Sequence, residues 1–195
     1  MIHVYWHTTP PEWLVENVAS WAAIGETVSV WSPTDFPDLF KWIESTNAGV
    51  NEVDQARHAA NVVRWHLLYT HGGVWADADV TALRPLPTLP AGPWSIGFGS
   101  TATPFLCGGP AGHGLWERTL AAALDHPRGT SPVASGGRLL GRITRAGELT
   151  IIPPGRFTAT DAAGDPLPEP AGGRYTEHEW VTSKQRWAQR RGRRP

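Results

Sequence analysis

The order of patterned segments predicts an α/β fold built on a largely parallel sheet. Three observations carry that expectation. An apolar run, Ile2-His3-Val4-Tyr5-Trp6, gives way to an amphipathic stretch and then to a second β-rich run, Thr27-Val28-Ser29-Val30-Trp31. A later helical pattern stops at Gly72-Gly73, and the short apolar run Val74-Trp75-Ala76 follows at once. The length of 195 residues, with a single cysteine, fits one domain that buries a core without a disulfide.

The elements follow in order. The first run is mostly apolar, as a central strand must be. Pro10-Pro11 opens the first helix, since proline is tolerated at the first helical position, and Trp13, Leu14, Val18, Trp21 and Ala22 supply its apolar face. Ser32-Pro33 closes the second strand, and residues 38–44 form a short helix. Asn51 or Asp54 caps the next helix, which ends at Gly72-Gly73 with His71 in its last turn. Further strands are expected at 94–98 and 105–107, helices at 114–124 and 137–145, and a last strand at 149–152. Residues 153–173 are rich in proline, glycine and alanine and read as loop. A single domain is expected over 1–183. Residues 184–195, with Arg186, Arg190, Arg191, Arg193 and Arg194, are read as a basic disordered tail or a weak contact for an anionic membrane or a polyanionic acceptor.

Composition narrows the function. Charged residues are 18% and the formal net charge is −1, so nothing in the bulk composition calls for nucleic acid. No run is long enough to span a membrane, and the start lacks a basic region followed by an apolar one. With Cys107 as the one cysteine, a cytoplasmic location is expected. Eleven tryptophans are either core filling or flat faces for nucleobases and sugars.

The chemistry concentrates at Asp77-Ala78-Asp79, just after the third strand. If the strand continues, both carboxylates point to one side. If it ends between them, one ligates a cation while the other holds a water or a sugar hydroxyl. Either way they stand at a strand's carboxyl end, where open α/β sheets bind ligands, and hard divalent cations prefer such oxygens. In the preceding helix Arg57, Asn61 and Arg64 form one polar stripe at i, i+4 and i+7. That stripe is either a solvent face or the wall of a cleft. In a cleft, Arg64 would meet donor phosphate or sugar, and Asn61 would meet hydroxyls.

The run Ala-Ala-Asn-Val-Val-Arg-Trp-His-Leu-Leu-Tyr-Thr-His-Gly-Gly-Val-Trp-Ala-Asp-Ala-Asp-Val, from Ala59 onward, resembles the sugar-binding region of the DXD-motif glycosyltransferases. These include bacterial capsule and lipopolysaccharide transferases, yeast mannosyltransferases and, more distantly, the clostridial glucosylating toxins. Ile2-His3-Val4-Tyr5-Trp6 is similar to the family's opening strand, and Ser135-Gly136-Gly137 with Leu140 to its Thr-Gly-Pro segment. His178-Glu179-Trp180 with Ser183 resembles its closing His-x-Trp-x-x-Ser element. Three departures stand out: Asn61 replaces the usual aspartate, Trp75 the usual tyrosine, and Lys184 stands where tryptophan is common.

The resemblance implies a GT-A-type fold, a nucleotide-sugar donor such as a UDP-sugar, Mn²⁺ or Mg²⁺, and transfer to a hydroxyl with retention of configuration. It implies that Trp6 stacks on the base, that Arg64, Asp77 and Asp79 are catalytic, and that Trp75 and Asn61 also line the donor site. Asp77, Asp79 and either His178 or Ser183 would hold the metal. Gly108-Gly109 would allow close approach of the sugar. The acceptor, a glycan, lipid or protein, would meet the regions 105–113 and 158–175. Two other readings use the same residues: a metal-dependent phosphohydrolase or nucleotidyltransferase, and a carbohydrate-binding protein without turnover.

Overall fold

The computed structural model describes residues 1–46, 51–125, 135–161 and 163–178. In chain order the elements are β1 (Ile2–Tyr5), α1 (Glu12–Ala23), β2 (Val28–Trp31), α2 (Pro37–Thr46), α3 (Glu52–Thr70), β3 (Gly73–Ala76), β4 (Val80–Ala82), β5 (Trp94–Phe98), β6 (Thr101–Gly109), α4 (Gly114–Leu124), α5 (Gly137–Ile143), β7 (Thr150–Ile152) and β8 (Thr176–His178). Six strands form one sheet in the order β2-β1-β3-β6-β5-β7. The pairings β1–β2, β1–β3 and β5–β7 are parallel, and β6 alone runs against its neighbours. This is the mixed, mostly parallel sheet that the sequence predicts.

Alternation along the strands sorts side chains into two cores. Tyr5, Trp75 and Cys107 join Val63, Trp65, Leu68, Trp116 and Leu140 on the face covered by α2, α3, α4 and α5. Val4, Ala76, Leu106 and Ile96 join Leu14, Trp21 and Phe157 on the other face, under α1. Trp21, Trp65, Trp75, Trp94 and Trp116 are fully buried, so core filling accounts for many of the tryptophans. His3 is buried too. It accepts from the Trp31 indole at Nδ1 (3.1 Å) and therefore donates from Nε2 to the Gly72 carbonyl (3.0 Å). Burial holds its pKa below the ordinary histidine value.

Helix α3 fixes the approach to β3. Asn51 caps it, accepting from the Asp54 amide at 3.0 Å, and Glu52 and Asp54 favour the helix N-terminus. Gly72 and Gly73 follow at φ 65° and 83°, a left-handed pair that reverses the chain into β3. A side chain at either would strike backbone, Ala111 N at 2.5 Å or Met1 O at 2.9 Å.

The structure adds what the pattern does not indicate. Strands β4 and β8, three residues each, pair antiparallel as a separate small sheet, with Val80 opposite His178. Helix α2 is longer than expected, and β6 is a nine-residue strand, where the sequence indicates only a short one at 105–107. Among the described residues no helix is long and apolar enough to cross a membrane. The expected basic tail, 184–195, and the domain end at 183 lie outside the described residues.

Candidate active site

The strand β3 ends at Ala76, so Asp77, Ala78 and Asp79 occupy a turn leading into β4 rather than a continuing strand. The Val80 amide closes that turn on the Asp77 carbonyl (3.0 Å), and the Asp77 amide still bonds to the Phe105 carbonyl (2.7 Å). Because β1 and β3 are parallel, their carboxyl ends share one edge of the sheet, with Trp6 at the end of β1.

Asp77 is gripped from the α3 side. Its Oδ1 accepts from the Arg64 guanidinium (2.7 Å) and from the Trp75 indole (2.7 Å). Arg64 is buried in α3 and lies over the Trp75 and Trp65 rings at 5.0 and 5.4 Å. The polar stripe therefore faces inward at Arg64. Its Nε is buried with no hydrogen-bond partner among the described residues, an N–H that a ligand oxygen would satisfy. Arg57 instead pairs with Asp54 at 3.1 Å.

Asp79 is gripped from the small sheet. Its Oδ1 lies 3.0 Å from His178 Nε2, and both residues are buried. The imidazole stacks on Phe105 at 4.4 Å between centroids, which fixes its plane. One ligand atom from each of Asp77, Asp79 and His178 falls within 4.8 Å of the other two. Two carboxylates and an imidazole at that spacing form a donor set suited to Mn²⁺ or Mg²⁺, with no thiolate to favour zinc. The side chain of Asp77 is 31% exposed against 11% for Asp79, so the cluster is reached from the Asp77 side.

Other sequence-predicted residues fall nearby or away. Trp6 is half-buried at the edge, its ring edge-on to Trp13 at 5.1 Å and its indole bonded to the Thr9 carbonyl. Asn61, one turn before Arg64, donates to Ser135 Oγ (3.2 Å), and Trp65 bonds to the Ser135 carbonyl (2.9 Å). The Ser135-Gly136-Gly137 segment thus docks on α3, as close as a Gly136 without a side chain permits.

Three expectations are corrected. Trp75 is 1% exposed, so it cannot line the donor site; its N–H orients Asp77 instead. Gly108 and Gly109 pair with Val74 and Gly73, at the end of β3 away from Asp77. A Cβ at Gly108 would strike Gly73 O at 2.4 Å, and one at Gly109 would strike Pro93 Cα at 2.9 Å, so strand packing explains both glycines. Residues 105–108 are buried in β6 and form no acceptor loop. Ser183, the alternative metal ligand, lies outside the described residues.

Sequence reasoning misses Asn17. It is buried in α1 and bonds to both Ala78 and Thr81, around the aspartate turn. The available signal is an amide set among the apolar residues Leu14, Val18 and Trp21.

Known proteins share this fold. Residues 6–95 match the family described as "Glycosyltransferase sugar-binding region containing DXD motif". Among solved structures, "PaToxG Glycosyltransferase" superposes with a TM-score of 0.58 at 15% identity, covering 73% of this chain and 66% of that one. A glycosyltransferase involved in the glycosylation of the major capsid of PBCV-1 gives 0.51 at 13% identity, covering 95% of this chain and 96% of that one. The chain thus spans just under two thirds of the first and nearly all of the second. No curated protein matches the sequence. The segment that carries the aspartate turn thus matches the sugar-binding region of the DXD-motif glycosyltransferases, and the chain shares its fold with glycosyltransferases of known structure.

Proposed function

We propose that the protein transfers a sugar from a nucleotide-sugar donor, a UDP-sugar, to an acceptor hydroxyl with retention of anomeric configuration. The observation that carries the metal-dependent part is the convergence of Asp77, Asp79 and His178 to within 4.8 Å. These three would hold Mn²⁺ or Mg²⁺, which when bound supplies positive charge against the donor diphosphate. Arg64 adds a permanent charge, preorganised by Asp77 and with a buried N–H to spare, where negative charge grows on the leaving group. Trp6 offers a partly open ring for the base at the same edge of the sheet. Asn61 offers an amide near donor hydroxyls.

In the reaction the acceptor oxygen bonds to the anomeric carbon as the bond to the diphosphate breaks, and the acceptor proton passes to a donor phosphate oxygen. Such a front-side path requires no protein nucleophile, and retention follows from likeness to the family. The acceptor is a glycan, lipid or protein hydroxyl, reached past the largely irregular segment 158–175. A cytoplasmic location accords with the lone free thiol of Cys107.

The test is release of nucleoside diphosphate from UDP-sugars and GDP-sugars, with and without Mn²⁺. Asp79→Ala is expected to lower metal-dependent release by about 100-fold or more, since even supporting residues of metal sites can cost that much. Full activity in a folded Asp79→Ala protein refutes the assignment.

A further inference from the structure

Helix α1 contributes no ligand to the cluster, yet its inner face is wired to the backbone that carries the two aspartates. Asn17 Nδ2 donates to the Ala78 carbonyl (3.0 Å), and Asn17 Oδ1 accepts from the Thr81 hydroxyl (2.6 Å). The amide orientation is fixed by chemistry. A carbonyl only accepts, so the NH₂ must face Ala78, which leaves Oδ1 for Thr81. Two neighbours in α1 extend the contact: the Trp21 indole donates to the Val80 carbonyl (3.2 Å), and Ser20 Oγ accepts from the Ala82 amide (2.8 Å). Ser20 Oγ in turn donates to the Asn17 carbonyl (2.6 Å).

The Ala78 carbonyl belongs to the peptide linking Ala78 to Asp79. Rotation of that peptide swings the Asp79 side chain relative to Asp77. Asp77 is already fixed by Arg64 and Trp75, so the spacing of the two carboxylates depends on this plane together with the His178 contact to Asp79. We propose that Asn17 is a positioning residue for the cation site: its side chain sets the Ala78–Asp79 peptide and thereby the separation of the two ligands. The proposal rests on reading Asp77 and Asp79 as cation ligands. An aspartate at 17 would keep the acceptor for Thr81 but set an oxygen against the Ala78 carbonyl. A leucine would leave that carbonyl without its donor.

The experiment uses the full chain and Mn²⁺ alone, with bound ion counted by the loss of the free-ion electron paramagnetic resonance signal. Asn17→Ala and Asn17→Asp are expected to bind Mn²⁺ about tenfold more weakly or worse, the range seen for supporting shells of metal sites. Thr81→Val should weaken binding by a smaller factor, and Thr81→Ser should restore it. In the metal-free protein, exchange of the Val80 amide should quicken about tenfold in Asn17→Ala, the loss of roughly one hydrogen bond from the local structure. A merely structural Asn17 lowers the unfolding temperature and leaves Mn²⁺ affinity unchanged in the folded protein; that result overturns the proposal. Should the Asn17 variants fail to fold, parental affinity in Thr81→Val overturns it as well. Parental Mn²⁺ affinity in Asp79→Ala is a different failure: it removes the ligand assignment itself, and the proposal with it.

Discussion

Asp77 and Asp79 stand two residues apart yet lean on different parts of the molecule. Asp77 is held by Arg64 and Trp75, partners 13 and 2 residues away, within the rigid unit of α3 and β3. Asp79 is held by His178, 99 residues away, on a two-stranded sheet of three-residue strands. The first grip can form as soon as a helix and its following strand are in place. The second requires the chain to come back from beyond the last strand of the main sheet. A two-stranded sheet is marginal alone, so the Asp79 side depends on packing against α1 and Phe105. One carboxylate is thus anchored locally and the other by a long-range closure.

The largest effect expected from this contrast is at Arg64. Arg64→Leu removes both the grip on Asp77 and the charge proposed to stand beside the leaving group, and transfer should fall about 100- to 1000-fold. Stability should drop by about 1–3 kcal/mol, less than for a fully buried pair, because Asp77 is partly open to water. Nucleotide release and urea unfolding on one preparation measure both. His178→Asn comes next. It should weaken Mn²⁺ binding about 10- to 100-fold while urea unfolding changes less than in Arg64→Leu. Unchanged affinity there would break the comparison, since Asp79 would then need nothing from the small sheet. The smallest effect belongs to Trp75→Phe, which keeps the ring in the core and deletes one donor to Asp77. Arg64 still holds the carboxylate, so metal affinity should fall only several-fold, roughly the worth of one hydrogen bond. A loss as large as that of Arg64→Leu would mean that the two donors act as one unit.

The sequence discloses the local half of this arrangement far better than the distant half. Asn51 as cap and Gly72-Gly73 as stop mark α3 because capping and left-handed backbone restrict residue choice at single positions. Arg64 on the stripe and Asp77 at the strand end follow from helical and strand periodicity. By contrast, β4 and β8 are too short for any alternation to show, and their pairing spans nearly a hundred residues. His178 comes into view only through family resemblance, and the structure sets it on Asp79. Asn17 stays hidden because a polar residue in an amphipathic helix reads as surface unless its burial is known. Gly108-Gly109 mislead for a related reason. Close approach does demand glycine there, but the approaching groups are the Gly73 carbonyl and the Trp94 ring at Gly108 and the Pro93 backbone at Gly109.

The lone thiol carries a last consequence. Cys107 is fully buried on β6 opposite Trp75, and burial pushes its pKa up to about 12. As the thiolate is the reactive form, oxidants and alkylating agents find nothing to attack while the helices stay packed over that face of the sheet. Labelling at that sulfur therefore keeps time with lifting of the helix layer, a built-in clock for the uncovering of the platform that carries Asp77.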